Sequence, residues 1–265
     1  MLGAIIGDIA GSRFEWNNHK SKDFTLFSPQ CTITDDSVMT LAIAQAILDA
    51  EASHADLGSE AVRCMRFFGR RWARGCYGGS FTQWLESEEP RPYNSFGNGA
   101  AMRVSPCGWA ATSLDEALTM ARKVTEVTHD HPEGIKGAQA VTSAIWLARN
   151  GSSREEIRAH IEEFYYPLDF TLRDIRPSYS FDVSCQGSVP QAIVAFLESK
   201  NFEDALRNAI SLGGDSDTLA AIAGSIAEAY YGVPQFMRRK VVNWLDSALW
   251  SVVESFEGRF PPRIA

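Results

Sequence analysis

"TDDSVMTLAIAQAIL" (residues 34–48) opens with Thr34, Asp35 and Asp36 and continues as an alanine-rich apolar run. "GGDSDTLAAIAGSIAEAY" (residues 213–230) follows the same plan with Asp215, Asp217 and Thr218. Both runs have helical spacing, and a threonine or aspartate at the head of a helix is an ordinary N-cap, with acids favoured by the positive end of the helix dipole. One cap, however, needs one side chain, and each stretch supplies two carboxylates and a hydroxyl. Alanine-rich helices are thin enough to approach closely, and four carboxylates brought together repel unless a cation neutralises them. The side chains of Thr34, Asp35, Asp36, Asp215, Asp217 and Thr218 all offer oxygen. That suits Mg2+, Mn2+ or Ca2+ better than zinc or copper. Four carboxylates exceed what one Mg2+ takes, so two ions sharing a bridging carboxylate are expected. An EF-hand is excluded, because the required glycine and terminal glutamate do not follow Asp215.

The same three-to-four spacing recurs along the chain, and the alternation of half-buried strands is scarce. Helices are predicted over 2–12, 36–51, 56–74, 80–86, 99–111, 114–127, 133–149, 153–164, 188–199, 202–212, 217–231 and 235–256, an all-α protein. "SLDEAL" and "SSREEI" carry the serine-to-glutamate spacing of a capping box, and Asn201 opens "NFEDAL" similarly. Pro-rich stretches at 86–99 and 165–190 read as long loops, which in a compact helical domain are often binding loops. With 45% hydrophobic content and no compositional break, residues 1–265 read as one domain.

The charge balance, 25 basic against 33 acidic residues for a net −8, excludes a whole-protein field suited to nucleic acid as the main partner. Cys31, Cys64, Cys76, Cys107 and Cys185 are odd in number and lack zinc-site spacing, so they read as reduced thiols. The apolar start "MLGAIIGDIAGSRFEW" has no basic leader region and is interrupted by Asp8, and no run reaches the ~18 uncharged residues of a membrane span. A soluble, cytoplasmic protein is expected. Gly3, Gly7 and Gly11 are read as a close helix contact in a soluble protein, and Asp8 as an acceptor for backbone amides of a neighbouring loop.

"GAIIGDIAGSRFEWNN", "TDDSVMTLAIAQAIL", "GNGAAMRVSP", "THDHPEGIKGA" and "LGGDSDTLAAIAGSIAEAYYG" stand in the order seen in the ADP-ribosylglycohydrolases. Between about residues 3 and 232 the chain resembles that family, which includes the dinitrogenase reductase-activating glycohydrolase. The resemblance implies a compact single-domain orthogonal helical bundle with a binuclear metal site in a cleft, and two Mg2+ or Mn2+ as cofactors. The implied substrate is an ADP-ribosylated protein side chain or a small ADP-ribose conjugate. It also implies that Thr34, Asp35, Asp36, Asp215, Asp217 and Thr218 are the metal ligands and that Glu15 is the acidic residue beside them. Glu15, Asp36 and Asp215 are the catalytic candidates; Gly97, Asn98 and Gly99 are the implied ADP-ribose contacts. The chemistry agrees, since cleavage at the ribose anomeric carbon passes through an oxocarbenium-like state that carboxylates stabilise and an oriented water can attack.

Two other readings compete. His129-Asp130 could belong to an HD-type metal phosphohydrolase, but Pro132 places the dipeptide in a turn, and two histidines in such a turn more often serve loop hydrogen bonds. His129 is therefore assigned to the substrate rim. A non-catalytic ADP-ribose-binding or crystallin-like protein is the second alternative; a retired site would have lost ligands, and this one has all of them.

Overall fold

The structure, a computed structural model, describes residues 1–262, so the last three positions of the 1–265 domain lie outside the described residues. Helix α1 (Leu2–Gly11) runs into a 3-10 turn at Ser12–Phe14, followed by α2 (Asp35–Asp49), α3 (Leu57–Gly69), α4 (Gly79–Glu86), α5 (Gly99–Met102) and α6 (Ser105–Ala110). Then come α7 (Leu114–Thr125), α8 (Pro132–Arg149), α9 (Arg154–Phe164), α10 (Leu172–Ile175), α11 (Cys185–Leu197), α12 (Phe202–Ile210) and α13 (Ser216–Tyr231). After α14 (Gln235–Val241), a 3-10 turn at Val242–Trp244 leads to α15 (Ser247–Arg259). No strand occurs among the described residues; an isolated bridge joins Gly97 to Ser184. The protein is all-α around one apolar core.

Helix α13 is the central element. Its residues from Ser216 to Ala229 are all buried, as is the whole of α1, which explains why neither run shows a clear polar face. The two helices lie against each other through glycines. A Cβ on Gly7 would stand 2.0 Å from the Ala220 carbonyl oxygen, and one on Gly11 would stand 2.5 Å from the Cα of Asp217. No side chain fits at either position, so the close soluble-helix contact read from the glycine spacing is the one observed. Inside α13, Glu228 accepts hydrogen bonds from the α-amino group of Met1 and, at 2.8 Å, from the amide of Gly3. This fixes the register of α1 along α13.

Capping decides most helix starts. Ser153 and Glu156 form a reciprocal capping box, while Ser113 and Asn201 accept from the amides of Glu116 and Asp204. The run predicted as one helix over 99–111 is broken into α5 and α6. Pro106 has no N–H to give the Met102 carbonyl, and the hydroxyl of Thr40 bonds that carbonyl at 3.3 Å instead. The run predicted over 235–256 is likewise broken, because Asp246 accepts from the amide of Leu249 and starts α15 afresh. The loop predicted over 165–190 is shorter than read: it contains α10, and α11, capped by Ser184, starts at Cys185, three residues before the predicted start. No helix among the described residues is long and apolar enough to cross a membrane.

Candidate metal centre and cleft

The N-termini of α2 and α13 converge beside the C-terminal end of α1. Thr34 caps α2, its hydroxyl accepting from the amide of Asp36 at 3.3 Å, so the carboxylates of Asp35 and Asp36 are not used as caps. Asp215 occupies the cap position of α13 without a side-chain capping bond. The turn before it needs two consecutive left-handed residues, Gly213 at φ 70° and Gly214 at φ 71°, which glycine adopts freely. The amide of Gly214 is held by Asn18 at 2.6 Å, tying this turn to the segment that follows Glu15.

Asp8 behaves as read from the sequence. One oxygen accepts from the amides of Thr34 and Ser37 at 3.0 and 3.1 Å and from the Ser37 hydroxyl, while the other accepts from Thr34 Oγ1 at 2.8 Å. It holds the start of α2 in place. Glu15 does not share a helix with Asp8: α1 ends at Gly11, and Glu15 follows the 3-10 turn, half-buried at the cleft edge.

Two groups of three carboxylates result, Asp8 with Asp36 and Asp217, and Glu15 with Asp215 and Asp217; within each group the ligand oxygens lie within 4.8 Å of one another. Asp217 belongs to both. Thr218 Oγ1 donates to Asp36 Oδ2 at 3.1 Å, and the amide of Thr218 donates to Asp217 at 3.1 Å. Asp36 Oδ1 is buried with no hydrogen-bond partner among the described residues. Burial first, and neighbouring negative charge second, drive Asp36 and Asp217 well above the ordinary carboxylate range. Burial and like charge also push Asp35 up to about 8 and Glu15 up to about 7, and burial raises Asp215. A divalent cation fits these residues: every donor is a hard oxygen, a buried carboxylate oxygen is without a partner, and no cationic side chain forms an ion pair with the cluster among the described residues.

The centre lies on one wall of a cavity of about 560 Å³. Glu15, Asp35, Asp36, Asp215, Asp217 and Thr218 line it, and so do Gly97, Asn98, Gly99 and His129; Thr34 is buried behind it. The glycine loop differs in detail from a simple amide cradle. The amides of Gly97 and Asn98 already donate, to Ser95 Oγ and the Val183 carbonyl. The Asn98 side chain donates instead to Asp215 Oδ2 at 2.6 Å and to Ser188 Oγ at 3.1 Å, so it orients a carboxylate of the centre.

His129 is buried and driven well below its ordinary pKa, first by desolvation and then by the charge of Arg103. It is neutral at pH 7. Asp130 accepts from the amide of Asn94, and His131 caps α8 by accepting from the amide of Glu133. Neither forms a histidine–aspartate metal pair.

Two further residues of the cleft escape sequence reasoning. Arg103 is 1% exposed, donates to Thr128 Oγ1 at 2.6 Å and the Val124 carbonyl at 3.3 Å, and has no carboxylate partner among the described residues. Burial lowers its pKa to about 10, so it keeps its charge. A charged residue after "GNGAAM" was its only signal. Trp16, 81% exposed, stacks on Phe181 with ring centroids 5.1 Å apart at the cleft mouth. An aromatic side chain next to Glu15 was the clue, but its distant partner on the 165–190 loop was not visible.

Similar proteins align with nearly the whole chain. ADP-ribosylhydrolase ARH3 of Xenopus tropicalis is 27% identical, with 94% of this chain and 89% of that protein aligned. ADP-ribosylarginine hydrolase Tri1 of Pseudomonas putida (strain GB-1) is 26% identical, covering 95% of this chain and 73% of the relative. A solved structure described as an ADP-ribosylglycohydrolase-related protein complex shares the fold with a TM-score of 0.69 at 21% identity, over 97% of this chain and 95% of its own. The ADP-ribosylglycohydrolase family model matches residues 1–262, the same span whose helices build the carboxylate centre, and this chain belongs to that family.

Proposed function

We propose that the protein is a metal-dependent hydrolase that removes ADP-ribose from a modified protein side chain or from a small ADP-ribose conjugate. The observation that carries this reading is a pair of carboxylate groups sharing Asp217, of which Glu15, Asp36, Asp215 and Asp217 line a cleft large enough for a nucleotide-sized ligand while Asp8 is buried behind them. The proposed ligands are Thr34, Asp35, Asp36, Asp215, Asp217 and Thr218, and the proposed ions are two Mg2+ or Mn2+. Bound there, such ions supply the positive charge that lets these carboxylates face one cavity and polarise ribose hydroxyls and a water. ARH3 and Tri1 are named for the removal of ADP-ribose, which supports the same chemistry here.

The chain's own residues then divide the work. The diphosphate is assigned to the side of the cleft bounded by Gly97, Gly99, Arg103 and His129, where the Arg103 guanidinium has no carboxylate partner. Neutral His129 offers hydrogen bonding there without a second charge. Asn98 holds Asp215 in orientation. Glu15, half-buried at the cleft edge beside Asp215 and Asp217, is assigned the proton transfer. It takes the proton of a water as the water oxygen bonds to the anomeric carbon; the bond from that carbon to the acceptor breaks with its electron pair going to the acceptor, which takes up a proton from solvent, and Glu15 releases the proton it took. Asp36 and Asp215 remain the alternative bases. The cytoplasm is proposed as the compartment, in keeping with free rather than paired cysteines.

The test follows free ADP-ribose released from arginine-linked and serine-linked ADP-ribosyl peptides and from O-acetyl-ADP-ribose, measured side by side after chelation and after adding back Mg2+, Mn2+ or Zn2+. Release from at least one substrate, abolished by chelation and restored by Mg2+ or Mn2+ but not Zn2+, is expected. Release from none, or release indifferent to chelation, contradicts the proposal.

A further inference from the structure

Outside the cleft, a basic face on α3 and the turn after it departs from the chain's net charge of −8. Arg63, Arg66 and Arg70 recur at three- and four-residue steps, which places them along one side of the helix, and Arg71 and Arg74 extend the row. Arg63 pairs with Asp49 and Glu60, and Asp246 lies within electrostatic reach of Arg71. Among the described residues the other four form no ion pair within 4.0 Å.

Two of them are held in fixed positions. Arg66 donates to the carbonyls of Leu85 and Ser87, and Arg70 donates twice to the Leu85 carbonyl, at 2.9 and 2.6 Å. Those bonds satisfy the C-terminal end of α4 and explain two arginines. They do not explain Arg71 and Arg74, both exposed. Arg71 lies over the rings of Phe67 and Trp72, 4.8 and 5.4 Å from their centroids, and Phe67 is 48% exposed. The face is thus cationic with an apolar edge.

This face connects to the cleft. A cavity of about 540 Å³ beside the cleft shares Gly75 and Tyr77 with it and is bounded by Arg70 and Arg74. A shallower hollow of about 640 Å³, lined by Arg63, Arg66, Phe67, Arg70 and Arg71, continues from Arg70. Among the described residues, Glu86 is the one carboxylate lining the 540 Å³ cavity, while Asp49 and Glu60 pair with Arg63 at the far end of the row. A ligand anchored in the cleft and extending past Gly75 therefore runs onto arginines.

We propose that this face docks an acidic segment of the ADP-ribosylated protein, adjoining the modified residue. The proposal rests on the reading of the cleft as an ADP-ribose site. Three observations favour this occupant: continuity with the cleft, the charge reversal against an acidic protein, and the apolar edge at Phe67 and Trp72. The row is short and the rest of the surface carries net negative charge, which disfavours a long polyanion such as nucleic acid.

The experiment uses the full chain and a variant carrying Arg71→Glu and Arg74→Glu, residues whose side chains make no hydrogen bond to the body of the protein. Fluorescent hexaglutamate, hexaglutamine and a ten-nucleotide oligouridylate are titrated at low salt by anisotropy, and free ADP-ribose is titrated by calorimetry. Hexaglutamate is expected to bind the unaltered protein and to bind the variant on the order of tenfold more weakly. Hexaglutamine is expected not to bind, and ADP-ribose to bind both proteins equally. Equal hexaglutamate binding by both, or by neither, overturns the proposal. Tighter binding of oligouridylate than of hexaglutamate overturns it in favour of nucleic acid. ADP-ribose bound by neither protein is a failure of the cleft reading and removes the face's role as a substrate dock, even if hexaglutamate still distinguishes the two proteins.

Discussion

Glu15 and Asp217 carry the same functional group within 4.8 Å of each other, yet their surroundings separate their roles. Asp217 is 3% exposed on a buried helix and belongs to both carboxylate groups, whereas Glu15 is half-buried at the cleft edge with its pKa raised to about 7. A residue that helps only while the bond breaks does not strengthen ground-state binding. Glu15→Gln should therefore lower kcat by about 100-fold or more while ADP-ribose affinity stays within about twofold. Single-turnover kinetics beside calorimetry measures both; a weakened affinity with an unchanged bond-breaking rate makes Glu15 a binding residue. The acids were legible in the sequence because two carboxylates at each helix head exceed what capping needs. Arg103 was not, since one arginine inside "GNGAAMRVSP" gives no sign that its guanidinium is buried without a carboxylate. Nor does a sequence show that Asn98 orients Asp215 across 117 positions.

Helix α1 meets α13 at a distance set by missing side chains. A methyl group on Gly7 would collide with backbone at Ala220, and backbone cannot move aside as a flexible side chain can. Gly7→Ala should destabilise the protein by about 1–3 kcal/mol or more, the range of overpacked cores, and should lower the Tm. Thermal melts of the metal-free protein check this; an unchanged Tm would mean that the contact is looser than described. Helix positions were readable where period and cap agree, as at Ser113, Ser153 and Asn201. They were misread where a single residue redirects a bond. Pro106 withholds the amide that Met102 needs and Asp246 supplies a new cap, so two predicted helices are each broken in two. Periodicity alone cannot register either event, because apolar spacing continues across both breaks.

The molecule as a whole concentrates buried negative charge where α1, α2 and α13 meet, and its stability should depend on pH accordingly. In the metal-free protein the folded-state pKa values of Asp35 and Glu15, about 8 and about 7, lie above the ordinary carboxylate range. The folded state therefore binds more protons than the unfolded state between about pH 4 and 8. Stability should be greatest near the acidic end of that window and should decline as pH rises towards 8. Melting curves across pH 5–8 in chelator should show a falling Tm, less steep in Asp35→Asn; a Tm that rises over this range would reverse the sign and exclude the buried, mutually repelling cluster. Divalent ions should oppose the decline, since they bind only the ionised folded site. The most direct measurement is the number of Mg2+ or Mn2+ ions bound per chain, by calorimetry and elemental analysis, in the unaltered protein and in Asp217→Asn. Two ions in the former, with loss of occupancy in the latter, is the predicted result; two ions retained in Asp217→Asn would contradict the assignment of the shared carboxylate and of the centre built around it.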